Sequence, residues 1–174
     1  MKVLLHACCA PCSIKCLESL KEEKIIPDVF WYNPNIHPYT EYKSRKETLE
    51  NYAKEQGLIL ISNDYYGLKE FLQKATEQRC KACYEMRLLA TAEYASQHGY
   101  DAFSTTLLIS PYQKHELLCE VGQAAAQRYG IDFLYRDFRP LFREGQKEAR
   151  EKGFYMQKYC GCIFSEEERY IGNK

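Results

Sequence analysis

A chain of 174 residues, 45% hydrophobic and 28% charged, is long enough to bury a sizeable core, and no segment approaches the ~18 apolar residues of a membrane span. Its 24 Lys and Arg balance 24 Asp and Glu, so no net field marks a nucleic-acid or membrane binder and only a local patch could supply one. Nine cysteines, an odd count with no secretory signal before them, argue against a disulfide framework and predict a reduced, cytoplasmic protein.

The run Lys2-Val3-Leu4-Leu5 predicts a buried first strand. His6-Ala7-Cys8-Cys9-Ala10-Pro11-Cys12 follows, and Pro11 and Ser13 suit the opening of a helix over 11–22. Cys8 and Cys9 thus fall on a strand-to-helix turn, at the sheet edge where ligands bind and where a helix N-terminus favours thiolate. Residues 25–32 predict a second strand, and Asn33-Pro34-Asn35-Ile36-His37-Pro38 a stiff loop. Thr40 reads as the N-cap of a helix to about Gln56, closed by Gly57. Residues 58–62 predict a third strand, 68–78 a helix, and 83–98 a longer helix introduced by Cys80-x-x-Cys83 and closed by Gly99. Ala102-Phe103-Ser104 begins a fourth strand, 114–129 is a helix stopped by Gly130, and Phe133-Leu134-Tyr135 is a fifth strand. Ser165 before Glu166, Glu167 and Glu168 reads as the cap of a last helix. This alternation predicts one α/β domain over 1–174, a parallel sheet with helices on both faces.

Seven of the nine cysteines occupy three tight groups, CCxxC, CxxC and CxC. Loops after parallel strands converge at one edge, so Cys8, Cys9, Cys80 and Cys83 can meet there and hold either zinc or an iron–sulfur cluster. Adjacent cysteines favour the cluster, because on a cubane each thiolate has its own iron. Cys160-Gly161-Cys162 can cycle between dithiol and disulfide, or ligate metal. Cys16 and Cys119 fall within helices as small core hydrophobes.

Among other candidates, His6 either bonds a thiolate or is a satisfied strand-end histidine, and His37 meets substrate or fixes its own loop. Arg87 could neutralise a metal centre or a phosphate, or sit in a surface ion pair. Residues 128–158 carry eight basic side chains against five acidic ones, which suits either phosphate binding or a solvated helix face. Fifteen tyrosines offer faces on which bases can stack, although most tyrosines pack half-buried.

Read in order, several blocks of the chain resemble one family. They are His6-x-Cys8-Cys9-Ala10-Pro11-Cys12-Ser13, Tyr32-Asn33-Pro34-Asn35-Ile36-His37-Pro38, Glu41-Tyr42-Lys43, Arg79-Cys80-x-x-Cys83, Arg87-Leu88, Thr105-Thr106-Leu107 with Ser110-Pro111, Asp137-Phe138-Arg139, and Gln157-Lys158-Tyr159-Cys160-Gly161-Cys162. Together they are similar to the cobalamin-independent epoxyqueuosine reductases, the QueH family. The resemblance implies a Rossmann-like α/β sheet akin to adenine-nucleotide α-hydrolases (HUP-like folds). It also implies reduction of epoxyqueuosine to queuosine at the wobble position of tRNA, the last step of queuosine biosynthesis. Further implied are a [4Fe-4S] cluster on Cys8, Cys9, Cys80 and Cys83 and a second, mononuclear iron, with Cys12 the nearest spare thiol and Asp137 the most plausible carboxylate. Cys160 and Cys162 would relay electrons as a redox-active disulfide from an outside donor. A PP-loop tRNA thiolation enzyme would need a Ser-Gly-Gly-x-Asp-Ser-type loop where His6-Ala7-Cys8-Cys9 stands, and a zinc-binding module would need no redox pair.

Overall fold

β1 (Val3–His6) is the central strand of a five-stranded parallel sheet in the order β3-β2-β1-β4-β5, with β2 at Asp28–Trp31, β3 at Leu60–Ser62, β4 at Ala102–Thr105 and β5 at Asp132–Phe133. The computed structural model describes residues 1–172. All four residues of β1 are buried, as expected of a strand covered on both faces. Leu5 pairs with Val29 on one side and Ser104 on the other. The chain leaves β1 toward β2 and β3 in one direction and reaches β4 and β5 in the other. The carboxyl ends of β1 and β4 therefore flank the switch point of the sheet, where open α/β folds bind ligands.

The helices are α1 (Ala10–Glu22), α2 (Tyr39–Glu55), α3 (Leu68–Lys74), α4 (Arg79–Gln97), α5 (His115–Tyr129), α6 (Phe142–Glu151) and α7 (Ile163–Tyr170). The α3 helix stops at Lys74 rather than 78 and β5 covers Asp132–Phe133 rather than 133–135, and three further boundaries that bear on the site differ from the sequence reading. Extended Pro38, not Thr40, stands at the N-cap of α2, because proline has no N–H to leave unsatisfied there. The α4 helix begins at Arg79, which places Cys80 and Cys83 inside its first two turns. Cys162, rather than Ser165, caps α7, its sulfur accepting the Ser165 N–H at 3.4 Å.

The α6 helix was not foreseen. Only Gly145 and Ala149 of it are buried, so it lacks the apolar stripe that advertises a core helix. What fixes it is Lys15 of α1, whose Nζ lies 2.6 Å from Glu18, 2.9 Å from Glu144 and 2.9 Å from Glu148. The Lys15 side chain is 11% exposed and runs over Gly145, where an added Cβ would come within 3.2 Å of its Cγ. This contact seats α6 against α1, beside the carboxyl end of β1.

Candidate active site

The turn after β1 folds three sulfurs into one group. Cys9 is the extended N-cap residue of α1, Cys8 precedes it, and Cys12 returns one turn into the helix. Their Sγ atoms lie within 4.8 Å of one another, all buried, with Cys8 and Cys9 3.7 Å apart. Thr106, in a 3-10 turn after β4, brings its hydroxyl to 3.5 Å from Cys8 Sγ and accepts the Cys8 N–H at 3.3 Å. Hydrogen bonds from Cys12 and Cys9, helped by Thr106 and Arg87, hold the Cys8 thiol well below its usual range. Burial raises Cys9, and the bond with Cys8 raises Cys12. The trio therefore shares a thiolate centred on Cys8.

The second thiol group lies on α4, where Cys83 is buried and Cys80 half-buried. Arg87, one turn on and 2% exposed, donates to Cys83 Sγ at 2.7 Å and to Cys83 O at 3.3 Å. No carboxylate pairs with it among the described residues, so the surface ion pair is excluded. Burial opposes its charge, and the nearby Cys83, Cys160 and Cys8 sulfurs favour it. Burial pushes Cys83 up to about 12, against the pull of Arg87. Cys80 and Cys83 stand outside the 4.8 Å group formed by Cys8, Cys9 and Cys12. The two groups nonetheless share Arg87, because α4 packs along β1 and β4.

Cys160-Gly161-Cys162 is held rather than hinged. Arg45, 1% exposed on α2, donates Nη1 to Cys160 O at 2.8 Å and Nη2 to Tyr159 O at 2.9 Å, while its Nε bonds Glu41 at 2.8 Å. The His37 N–H donates to Gly161 O at 2.8 Å, and the Tyr159 hydroxyl to His37 O at 2.5 Å. Gly161 has φ +147°, and a Cβ there would come within 3.1 Å of Arg45 Nη1. Glycine is thus required by backbone conformation and by close approach, not by mobility.

Other sequence candidates resolve into structural roles. His6 Nδ1 is 3.0 Å from the Thr105 hydroxyl and its Nε2 3.1 Å from Asn33 Oδ1, while burial lowers its pKa to about 4, so it is a neutral, satisfied strand-end histidine. His37 is fully buried, bonding Pro34 O at 3.0 Å within its own loop. Cys16 is buried in α1 and Cys119 half-buried on α5, neither within the trio. Asp137 lies outside the Cys8–Cys9–Cys12 group. Arg139 takes both of its oxygens, at 2.7 and 2.8 Å, and holds its pKa down at about 2.

A cavity of about 810 Å³ opens over the thiols. Cys8, Cys12 and Cys160 lie in its lining with Gln113, Gln157 and Tyr159. Gln157 Nε2 is 3.7 Å from Cys12 Sγ, and its buried Oε1 has no partner. Arg143, Arg150, Lys158 and Arg169 also line the cavity, and no acidic side chain does. Sequence reasoning took in three of these cations only as part of a basic stretch. Arg169, Arg45 and Gln113 carry no local signal, and Gln157 stands out only as part of the block that ends in Cys160-Gly161-Cys162. The one available signal was the i, i+7 spacing of Arg143 and Arg150, which puts both on one face of a helix.

Residues 3–168 match the family described as epoxyqueuosine reductase QueH. Among curated proteins, epoxyqueuosine reductase QueH of Dehalococcoides mccartyi is 39% identical, covering 97% of this chain and 94% of that one. The Thermotoga maritima protein of that name is 33% identical over 96% and 91%, and the Haemophilus influenzae protein 35% identical over 94% and 71%. A solved structure, a predicted subunit of tRNA methyltransferase from Methanocaldococcus jannaschii, is 17% identical with a TM-score of 0.53. It covers 88% of this chain and 89% of its own, a likeness of fold that agrees with the expected HUP-like sheet.

Proposed function

The chain belongs to the epoxyqueuosine reductase QueH family, and on that premise we propose a site-level account of how it converts epoxyqueuosine in tRNA to queuosine. It is an oxidoreductase of tRNA processing. The reaction takes two electrons and two protons, breaks both epoxide C–O bonds, and leaves an alkene and water. The observation that carries this reading is the cavity itself, which offers the Cys8, Cys12 and Cys160 thiols to one bound group. No helix is long and apolar enough to cross a membrane, and action on tRNA implies a cytoplasmic setting.

Cys8, Cys9, Cys80 and Cys83 would hold a [4Fe-4S] cluster, and Cys12 a neighbouring iron. The donor set fits soft-metal binding, being all thiol, and buried Arg87 fits an anionic centre because it has no carboxylate partner among the described residues. Such a centre would supply low-potential electrons and Lewis acidity.

The protein's own groups do the rest. Gln157 offers an unpartnered carbonyl oxygen to a substrate hydroxyl beside Cys12. Arg45 holds the Tyr159 and Cys160 carbonyls, and Cys160 and Cys162 would pass two electrons inward as the dithiol closes to a disulfide, an outside reductant reopening it. Anaerobic protein assayed with dithionite on epoxyqueuosine-containing tRNA tests the whole. Queuosine should form, and Cys8→Ala, Cys9→Ala, Cys80→Ala and Cys83→Ala should each lose most iron, sulfide and activity. A colourless, zinc-loaded protein without turnover would overturn the reading.

A further inference from the structure

Four cations converge on the cavity from three places in the chain: Arg143 and Arg150 from α6, Lys158 from the segment before Cys160, and Arg169 from α7. Several basic residues near them in the chain are paired. Arg136 pairs with Glu23 at 2.7 Å, Arg139 with Asp137 at 2.7 Å, Lys152 with Glu148 at 3.5 Å and Lys147 with Glu151 at 3.9 Å. None of those four lines the cavity, and none of the cavity cations has a carboxylate partner among the described residues. Like charges gathered without counterions repel one another, so the arrangement is favourable only when a polyanion joins it.

We propose that Arg143, Arg150, Lys158 and Arg169 form a cradle for the backbone phosphates flanking the reacting nucleotide. This rests on the reading of the cavity as the substrate site. Arg143, Gln146 and Arg150 recur at i, i+3 and i+7, which sets the two arginine positions about 10 Å apart along the axis of α6, with a glutamine position between them. Tyr112, 84% exposed, lines the same cavity and packs edge-on against Phe142, their centroids 5.8 Å apart. An aromatic ring left so exposed beside cations is the pairing with which proteins hold single-stranded nucleic acid, stacking a base while phosphates are neutralised. The unpartnered Gln157 oxygen beside Cys12 marks where the reacting nucleoside reaches the thiols.

The test uses the anaerobic full chain, with an unmodified anticodon stem-loop for binding and its epoxyqueuosine-containing counterpart for kinetics. Arg143→Gln/Arg150→Gln should weaken stem-loop binding and raise KM about tenfold or more, with a smaller change in kcat. The slope of log affinity against log salt should become shallower by about 1.4, two phosphate contacts' worth. Lys147→Gln, which removes a cation paired off the cavity, should leave binding unchanged. Iron and sulfide content and the unfolding midpoint, unchanged in the double variant, separate lost binding from lost structure. If that variant misfolds, Lys158→Gln and Tyr112→Ala are measured instead, each expected to weaken binding. Stem-loop affinity and salt slope equal to wild type in the folded variants would overturn the cradle. Binding is read with unmodified RNA, so a wild type that binds the stem-loop but fails to reduce the epoxide would refute the reaction and not the cradle.

Discussion

Arg87 Nη2 stands 2.7 Å from Cys83 Sγ, a buried guanidinium on a buried sulfur one helical turn away. A cation in that position stabilises whatever negative charge the thiols and their metal carry, and stabilises it most in the reduced state. Arg87→Gln should therefore shift the midpoint potential to more negative values and cost about 3 kcal/mol of stability, since it breaks a buried ionic contact. Arg87→Lys should restore part of both. Redox titration of the anaerobic protein checks the first effect, and thermal unfolding the second.

Arg45 reaches the carbonyls of both Tyr159 and Cys160, so the CxC segment is positioned from α2. Lysine keeps the charge but cannot bridge two carbonyls in this fork geometry. Arg45→Lys should lower turnover supported by a thiol reductant by about a hundredfold, the scale of a misplaced reacting group. Cys160→Ser/Cys162→Ser should abolish that turnover. In both, visible absorbance and iron content should remain; loss of iron would instead make the pair metal ligands.

His37 lies between the rings of Tyr66 and Phe71, its centroid 5.6 and 5.0 Å from theirs, and its buried Nδ1 has no partner. Burial lowers its pKa below the usual 6.5, so the fold holds it neutral. Below about pH 6.5 the unfolded chain takes up a proton that the folded chain refuses. The stability His37 contributes is thus complete above that pH and declines as pH falls toward the folded-state value. Thermal midpoints at pH 7 and pH 5 should differ less in His37→Gln than in wild type.

Gly122 of α5 faces Phe133 of β5 so closely that an added Cβ would fall 2.5 Å from Cε1 of the ring. Gly122→Ala should cost about 1–3 kcal/mol through overpacking, despite alanine's higher helix propensity. Chemical denaturation would show it, and metal content should not change, because the contact lies away from the cavity lining.

Sequence alone determined the parallel α/β order, because strand-length apolar runs and glycine-terminated amphipathic helices are local signals, and five of the seven helices end at or just before a positive-φ glycine at 57, 99, 130, 153 or 172. It also placed Cys8, Cys9 and Cys12 together, since a strand-to-helix turn folds neighbours into one group whatever surrounds it. Tertiary structure alone decided which distant residues serve those thiols. Lys15 is what recruits α6, and with it Arg143 and Arg150, by an ion cluster whose partners lie more than a hundred residues apart. Arg45 meets Cys160 across a similar separation, and Asp137 pairs with the arginine two positions on. Local sequence fixes backbone geometry through steric and hydrogen-bonding preferences that act over a few residues. The charge around the cavity depends on which ionic groups find partners, and that is settled only when the chain has closed.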